Sequence, residues 1–347
     1  MRRLLLAAAV VAFACQGAAT LPAPSQRATP AAAPTTPIDV SDMMGAFPAS
    51  TFFVVTDDGV KAIALLNHAT RFTLKTSGQV QLASFGGSVY VADETADGTR
   101  LRWIQADTGT ELASWTERGR RLVATGIGHG ALVVEPTTQR VLALYYSGGD
   151  RFTVEAYEPY SLRPLGKRLE APCGDRLLAA ADRVVVMCDL RGTILIKDGA
   201  GESKTVDAGL GTLVAGAISL DGTTLVGRDD GTLARIALPT TSVEKIEPFR
   251  PGKLVVDGIA SPDAQTFVIA LQTSDLSIGV SEVRSTRRYI SFPAKNIPTT
   301  GLLALGQFAF WVDGSQARHV DLYQGFAETM ATLGGRALAG AVSAGSY

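Results

Sequence analysis

Residues 212–247 read TLVAGAISLDGTTLVGRDDGTLARIALPTTSVEKIE, and the fold follows from this stretch. It contains three short apolar runs. The first, 213–218, is broken by Leu220-Asp221-Gly222; the second, 223–227, is closed by Asp229-Asp230-Gly231; the third, 232–238, ends at Pro239. Residues 241–247 then alternate in the manner of an exposed edge strand. Asp-Gly between apolar runs is a strong hairpin signal, because the left-handed backbone of a tight turn costs glycine nothing. The stretch therefore reads as a four-stranded antiparallel meander. About 36 residues cannot bury both faces of such a sheet alone, so the meander has to recur.

It does recur. Similar openings stand at QLASFGG (Gln81), RLVATGIGHG (Arg121), RLLAAADR (Arg176), KLVVDGIASPDA (Lys253), GLLALGQF (Gly301) and RALAGAVSAG (Arg336). Anchored on Leu82, Leu122, Leu177, Leu213, Leu254, Leu302 and Leu338, they lie about 43 residues apart on average, within the range of propeller repeats with four strands per blade. Each opening is rich in Ala and Gly, as expected where seven innermost strands crowd around one axis. The last repeat supplies a first strand from Arg336, and residues 51–79 supply the other three. The expected fold is all-β: a seven-bladed β-propeller of four-stranded antiparallel blades. Its ring is closed by the C-terminal strand joining the N-terminal blade, so that no edge is left open at the junction.

Residues 219–238 (SLDGTTLVGRDDGTLARIAL) and 261–271 (SPDAQTFVIAL) resemble the Ser-Pro-Asp-Gly blade turn of WD-repeat-like and YVTN-type bacterial propellers. Residues 103–114 (WIQADTGTELAS) are similar to the Asp-x-Thr-Gly turn between the outer strands of such blades. The resemblance spans about residues 50–347. It implies an architecture, often extracytoplasmic in bacteria and often a binding or assembly scaffold, and leaves the function open.

The remaining features concern location and chemistry. Arg2-Arg3 followed by an apolar run to Ala14 has the form of an export signal and is too short to span a bilayer. Two processing routes are open at its end: cleavage after Ala12-Phe13-Ala14, or lipidation of Cys15 as in bacterial lipoproteins. Residues 21–37, LPAPSQRATPAAAPTTP, cannot build a core and suit a tether, which favours the lipid anchor. The expected organisation is a signal peptide over 1–14, a Pro/Ala/Thr-rich tether over 15–42 and the propeller over 43–347. Cys173 and Cys188 then form an even pair in an oxidising compartment. A hairpin centred near Ala180-Ala181 would set them opposite each other for a disulfide, and two buried thiols are the alternative.

With 32 basic and 33 acidic residues the chain has no field to attract nucleic acid. The long third repeat reads as a hairpin excursion turning at residues 147–150. Its Tyr145, Tyr146, Tyr157 and Tyr160 are expected to project as a contact surface, with simple loop growth as the plainer alternative. His129, in Gly128-His129-Gly130, sits where it could face the central channel. His68 precedes the outer strand of the first blade, and His319 reads as surface-facing. No cofactor, metal or catalytic set emerges. The function expected is that of a binding or scaffold propeller, monomeric and anchored at the cell envelope, whose partner is an envelope protein or cell-wall component. The alternative is a lactonase- or lyase-like enzyme using a bound divalent ion at the channel mouth, a reading that gains if several of Asp93, His129, Asp182, Asp257 and Asp313 converge on one face around a metal.

Overall fold

A computed structural model describes residues 50–123, 130–199, 201–237, 240–247, 251–262, 266–282, 287–292, 301–306, 308–322, 324 and 327–343. The segments expected as export signal and tether, Cys15 and His129 lie outside the described residues.

The strands form seven antiparallel sheets, each with its innermost strand at the axis. Blade 1 comprises β1 (Thr51–Thr56), β2 (Gly59–Ala64) and β3 (Thr70–Leu74), with the C-terminal β29 (Ala339–Ser343) innermost. Blade 2 runs β4 (Val80–Phe85), β5 (Ser88–Thr95), β6 (Gly98–Gln105), β7 (Glu111–Arg118). In blade 3 the inner position is divided between β8 (Arg121–Leu122) and β9 (Leu132–Val134). Both pair antiparallel with β10 (Val141–Tyr146), and β11 (Phe152–Tyr157) and β12 (Pro164–Ala171) complete the blade. Blade 4 has β13 (Arg176–Ala180), β14 (Arg183–Cys188), β15 (Thr193–Asp198) and β16 (Ser203–Asp207). Blade 5, the stretch that opened the sequence reading, has β17 (Ala215–Ile218), β18 (Thr224–Gly227), β19 (Leu233–Ala237) and β20 (Ser242–Ile246). Blade 6 has β21 (Lys253–Ala260), β22 (Thr266–Gln272), β23 (Leu276–Glu282) and β24 (Arg287–Phe292). Blade 7 has β25 (Leu303–Leu305), β26 (Phe308–Asp313), β27 (Gln316–Asp321) and β28 (Ala327–Thr332).

The ring closes as expected: β29 pairs with β1 from Thr51↔Ser343 to Val55↔Ala339. The core is a series of layers between blades rather than one central mass. Phe52, Ile63, Phe310 and Met330 pack at the seam of blades 7 and 1, and Phe53, Val60, Leu82 and Val91 at the seam of blades 1 and 2. A four-stranded sheet with neighbours on both faces buries both faces of its middle strands, so β1 and β26 are buried at every position. The turn chemistry repeats as well. Thr56 Oγ1 donates to the Gly59 carbonyl and Thr95 Oγ1 to the Gly98 carbonyl, each at 3.1 Å. Gly59 and Gly98 have φ of +122° and +143°, and a Cβ at either would run into the carbonyl of Leu74 or Glu117 on the next strand.

The length of the third repeat has a different origin from the excursion read in the sequence. Residues 141–157 are β10 and β11, the ordinary middle pair of blade 3. The additional residues of this repeat fall between β8 and β9 in the sequence.

Cys173 and Cys188 are joined by a disulfide, with Cα atoms 5.4 Å apart. The hairpin they close turns one residue later than the centre at Ala180-Ala181. Ala180 pairs with Arg183, and Ala181 and Asp182 form a two-residue turn with φ of 53° and 55°. That conformation is tolerated by Asp but carries no glycine to announce it. Cys173 still reaches Cys188 because it precedes β13, where Asp175 N–H donates to the Met187 carbonyl at 3.0 Å and folds the lead-in segment back along β14.

Candidate functional site

Three consecutive residues of each inner strand, among them Leu82–Ser84, Leu177–Ala179 and Gly340–Val342, line a central cavity of about 330 Å³. Its wall is aliphatic and small because only Ala, Gly, Ser, Val, Leu and Ile fit at the crowded axis. Polar chemistry collects instead at one mouth, the face on which the inner strands begin.

Three side chains organise that mouth. Arg176 starts β13. Asp189 lies in the one-turn 3-10 helix Asp189–Arg191 after β14, and Asp257 lies in β21. The β21–β22 register shifts between Leu254 and Ile259, and this bulge carries Asp257 at φ 52°. The bulge aims one residue at several blades. Asp257 N–H donates to the Val214 carbonyl at the start of blade 5, and its carbonyl accepts from Leu302 N–H of blade 7. Its carboxylate meets Arg176 Nε of blade 4 at 2.8 Å. Nη2 of the same Arg176 guanidinium meets Asp189 at 3.1 Å. All three side chains are largely buried, and Arg176 Nη1 and Asp189 Oδ1 have no hydrogen-bond partner among the described residues. Burial pushes the Asp189 carboxyl up to about 7. Arg176 opposes that rise, and the negative charges of Asp175 and Asp257 add to it. The mouth therefore sets a carboxyl that burial makes harder to ionise beside a buried arginine. Leu190, Val256 and Leu338 are exposed at 85%, 45% and 46% on the same face.

The other acidic residues flagged in the sequence do not join this cluster. Asp93, fully buried on β5, is held by Arg100 and Arg102 and accepts from Ser77. Asp182 pairs with Arg140 at the opposite end of its blade, beside a groove of about 110 Å³ between blades 3 and 4. Asp313 pairs with Arg318 within blade 7.

The tyrosine surface has to be corrected. Tyr146 and Tyr160 are exposed at 51% and 56%, but Tyr145 and Tyr157 are fully buried with their hydroxyls 2.9 Å apart. Both belong to middle strands of a blade, and burial raises the pKa of each, so both stay protonated. They stand at a polar seam between blades 2 and 3. There Arg120 lies over the Tyr145 ring and donates to the buried Glu155, which also accepts from Arg168. Arg120 is thus a packing residue at this seam. His319 also departs from expectation. It is 1% exposed, on β27 against Phe308, Phe310 and His68. Burial depresses its pKa to about 4; the neighbouring His68 imidazole works in the same direction and Asp321 against it. Middle-strand position, invisible in a single sequence, decides both cases.

No family model matches the chain, and no curated protein matches it in sequence. Solved structures share its fold. The periplasmic gluconolactonase PpgL of Pseudomonas aeruginosa superposes with a TM-score of 0.59 at 12% identity, covering 85% of this chain and 99% of that one. Apo AztD from Citrobacter koseri gives 0.55 at 11% identity over 84% and 97% of the two chains. A streptogramin B lyase gives 0.54 at 11% identity over 80% and 87%. At such identities the likeness shows the seven-bladed propeller and nothing of activity.

Proposed function

We propose that this protein is an extracytoplasmic binding or scaffold propeller, held at the cell envelope by a lipid on Cys15 and a Pro/Ala/Thr-rich tether. Its recognition surface is the face on which the inner strands begin. The observation that carries this reading is the composition of that face: exposed Leu190, Val256 and Leu338 beside a charged cluster in which Arg176 pairs with both Asp189 and Asp257. Exposed large apolar side chains with a fixed polar centre fit a protein partner. The partner is an envelope protein. The test is capture from envelope extracts with the full chain as bait. Val256→Glu with Leu338→Glu is expected to abolish capture and leave the melting temperature within about 2 °C of wild type, since surface changes cost little. In the same extracts Cys15→Ser should move the protein from the detergent phase to the aqueous phase. Capture undiminished by the double variant would remove the assigned face.

One observation favours a second reading. A carboxyl poised near neutral pH beside an arginine is a common acid–base arrangement, and solved structures with this fold include a gluconolactonase and a lyase. If Asp189 is such a group, turnover of a lactone substrate should follow a pH profile with an inflection near 7. Asp189→Asn should abolish that inflection. Absence of turnover in the wild type, or a profile unchanged by Asp189→Asn, would exclude the role.

A further inference from the structure

At the seam where the ring closes, three metal-ligating side chains converge from two blades. His319 and Glu328 are directly opposed across β27 and β28 of blade 7. His68 reaches them from the β2–β3 connection of blade 1. One donor atom from each lies within 4.8 Å of the others. Glu328 Oε1 stands 3.1 Å from His319 Nε2 and 3.6 Å from His68 Nε2. These separations bracket the edge of a zinc tetrahedron, about 3.4 Å for ligand bonds near 2.0–2.1 Å.

The side chains are positioned as ligands require. His319 is packed between Phe308, Phe310 and His68, with ring centroids 5.9–6.0 Å away, so its ring is held by contact on several sides. His68 is held in the left-handed region at φ 59° by a tight turn: its N–H donates to the Ala64 carbonyl, and Ala69 N–H donates to Asn67 Oδ1. His68 and Glu328 are each about one-third exposed, which leaves an approach for an ion and room for water as a fourth ligand.

We propose that His68, His319 and Glu328 form a binding site for a zinc-class divalent transition metal that fastens blade 7 to blade 1. Two imidazoles with one carboxylate suit zinc and exclude the all-oxygen preference of calcium and magnesium. Blade 1 is also the blade built from both ends of the propeller, so an ion here would reinforce the closure that β29 provides.

The experiment uses full-length, tag-free protein stripped with chelator and titrated with Zn2+ alone, followed by calorimetry, melting and Co2+ absorption. Wild type is expected to bind one ion at this site and to melt roughly 4 °C higher at a hundredfold excess over Kd. Co2+ should give the visible bands of a four-coordinate site. His68→Asn keeps a residue that tolerates positive φ, and Glu328→Gln keeps the shape, so both variants should fold. Each should weaken Zn2+ binding by roughly tenfold or more and cut the thermal shift at the same Zn2+ concentration to about half or less. Wild type without bound Zn2+, or variants with wild-type affinity and shift, would overturn the proposal.

Discussion

Deleting residues 336–347 should leave a chain with no cooperative unfolding transition at 37 °C. The deletion removes β29, whose ladder covers five positions of β1. It also removes Ala337, Ala339 and Ala341, all buried, and strips cover from Phe52 and Phe53, both at 0% exposure. Re-exposing either phenylalanine costs about 1.5–3 kcal/mol. Two ties to blade 2 go as well, from Ser84 Oγ to the Val342 carbonyl at 2.6 Å and from Ser343 Oγ to the Gly86 carbonyl. Together these losses approach the whole stability of a typical domain, about 5–15 kcal/mol. Calorimetry on the truncated chain gives the answer, and a melting transition matching the full-length protein would mean that the ring does not depend on its closure.

The second large effect is expected at Asp93. Its carboxylate has no solvent exposure and serves three arginine and serine partners at once: Arg100 at 2.7 Å, Arg102 at 3.5 Å, and the backbone and hydroxyl of Ser77. Arg100 is partly exposed and can turn to water. Arg102, at 5% exposure, cannot; burial already lowers its pKa, the nearby Asp93 charge works against that fall, and two of its nitrogens lack hydrogen-bond partners among the described residues. Asp93→Ala therefore leaves a buried cation uncompensated and frees Ser77, which anchors the lead-in from blade 1 to blade 2. The expected loss is about 3–5 kcal/mol, read from denaturant unfolding. Adding Arg102→Met to the same chain should recover a substantial part of it, because the stranded charge is then gone. If Asp93→Ala costs less than about 1 kcal/mol, the charge is being solvated in a way that its burial does not allow.

The architecture was legible because its signals are local and repeated. Asp-Gly turns punctuate blade 5, and the Ala/Gly-rich inner strands recur at a spacing that a ring of four-stranded blades requires. Chemistry was less legible, for one physical reason. Polarity reports burial only when a strand has one wet face, and the middle strands of a blade have none. Tyr145, Tyr157 and His319 therefore read as surface residues and are buried, while Asp189 attracted no notice although it sits at the mouth. The Arg176–Asp257 pair joins blades 4 and 6 through a bulge that no short motif announces. Likewise, the Cys173–Cys188 hairpin turns at Ala181-Asp182, where the left-handed backbone is imposed by register rather than by glycine.

The pairing of β1 with β29 also governs when the protein can finish folding. These strands are about 290 residues apart in the chain, so the contact that completes the ring carries one of the largest loop-closure costs available to the molecule. Until it forms, TFFVVT is an uncharged, β-rich segment with an unpaired edge, the kind of sequence that recruits other chains. The other blades can assemble from neighbours in sequence while this one waits. The window in which the chain is most prone to aggregate therefore closes only when its last strand arrives.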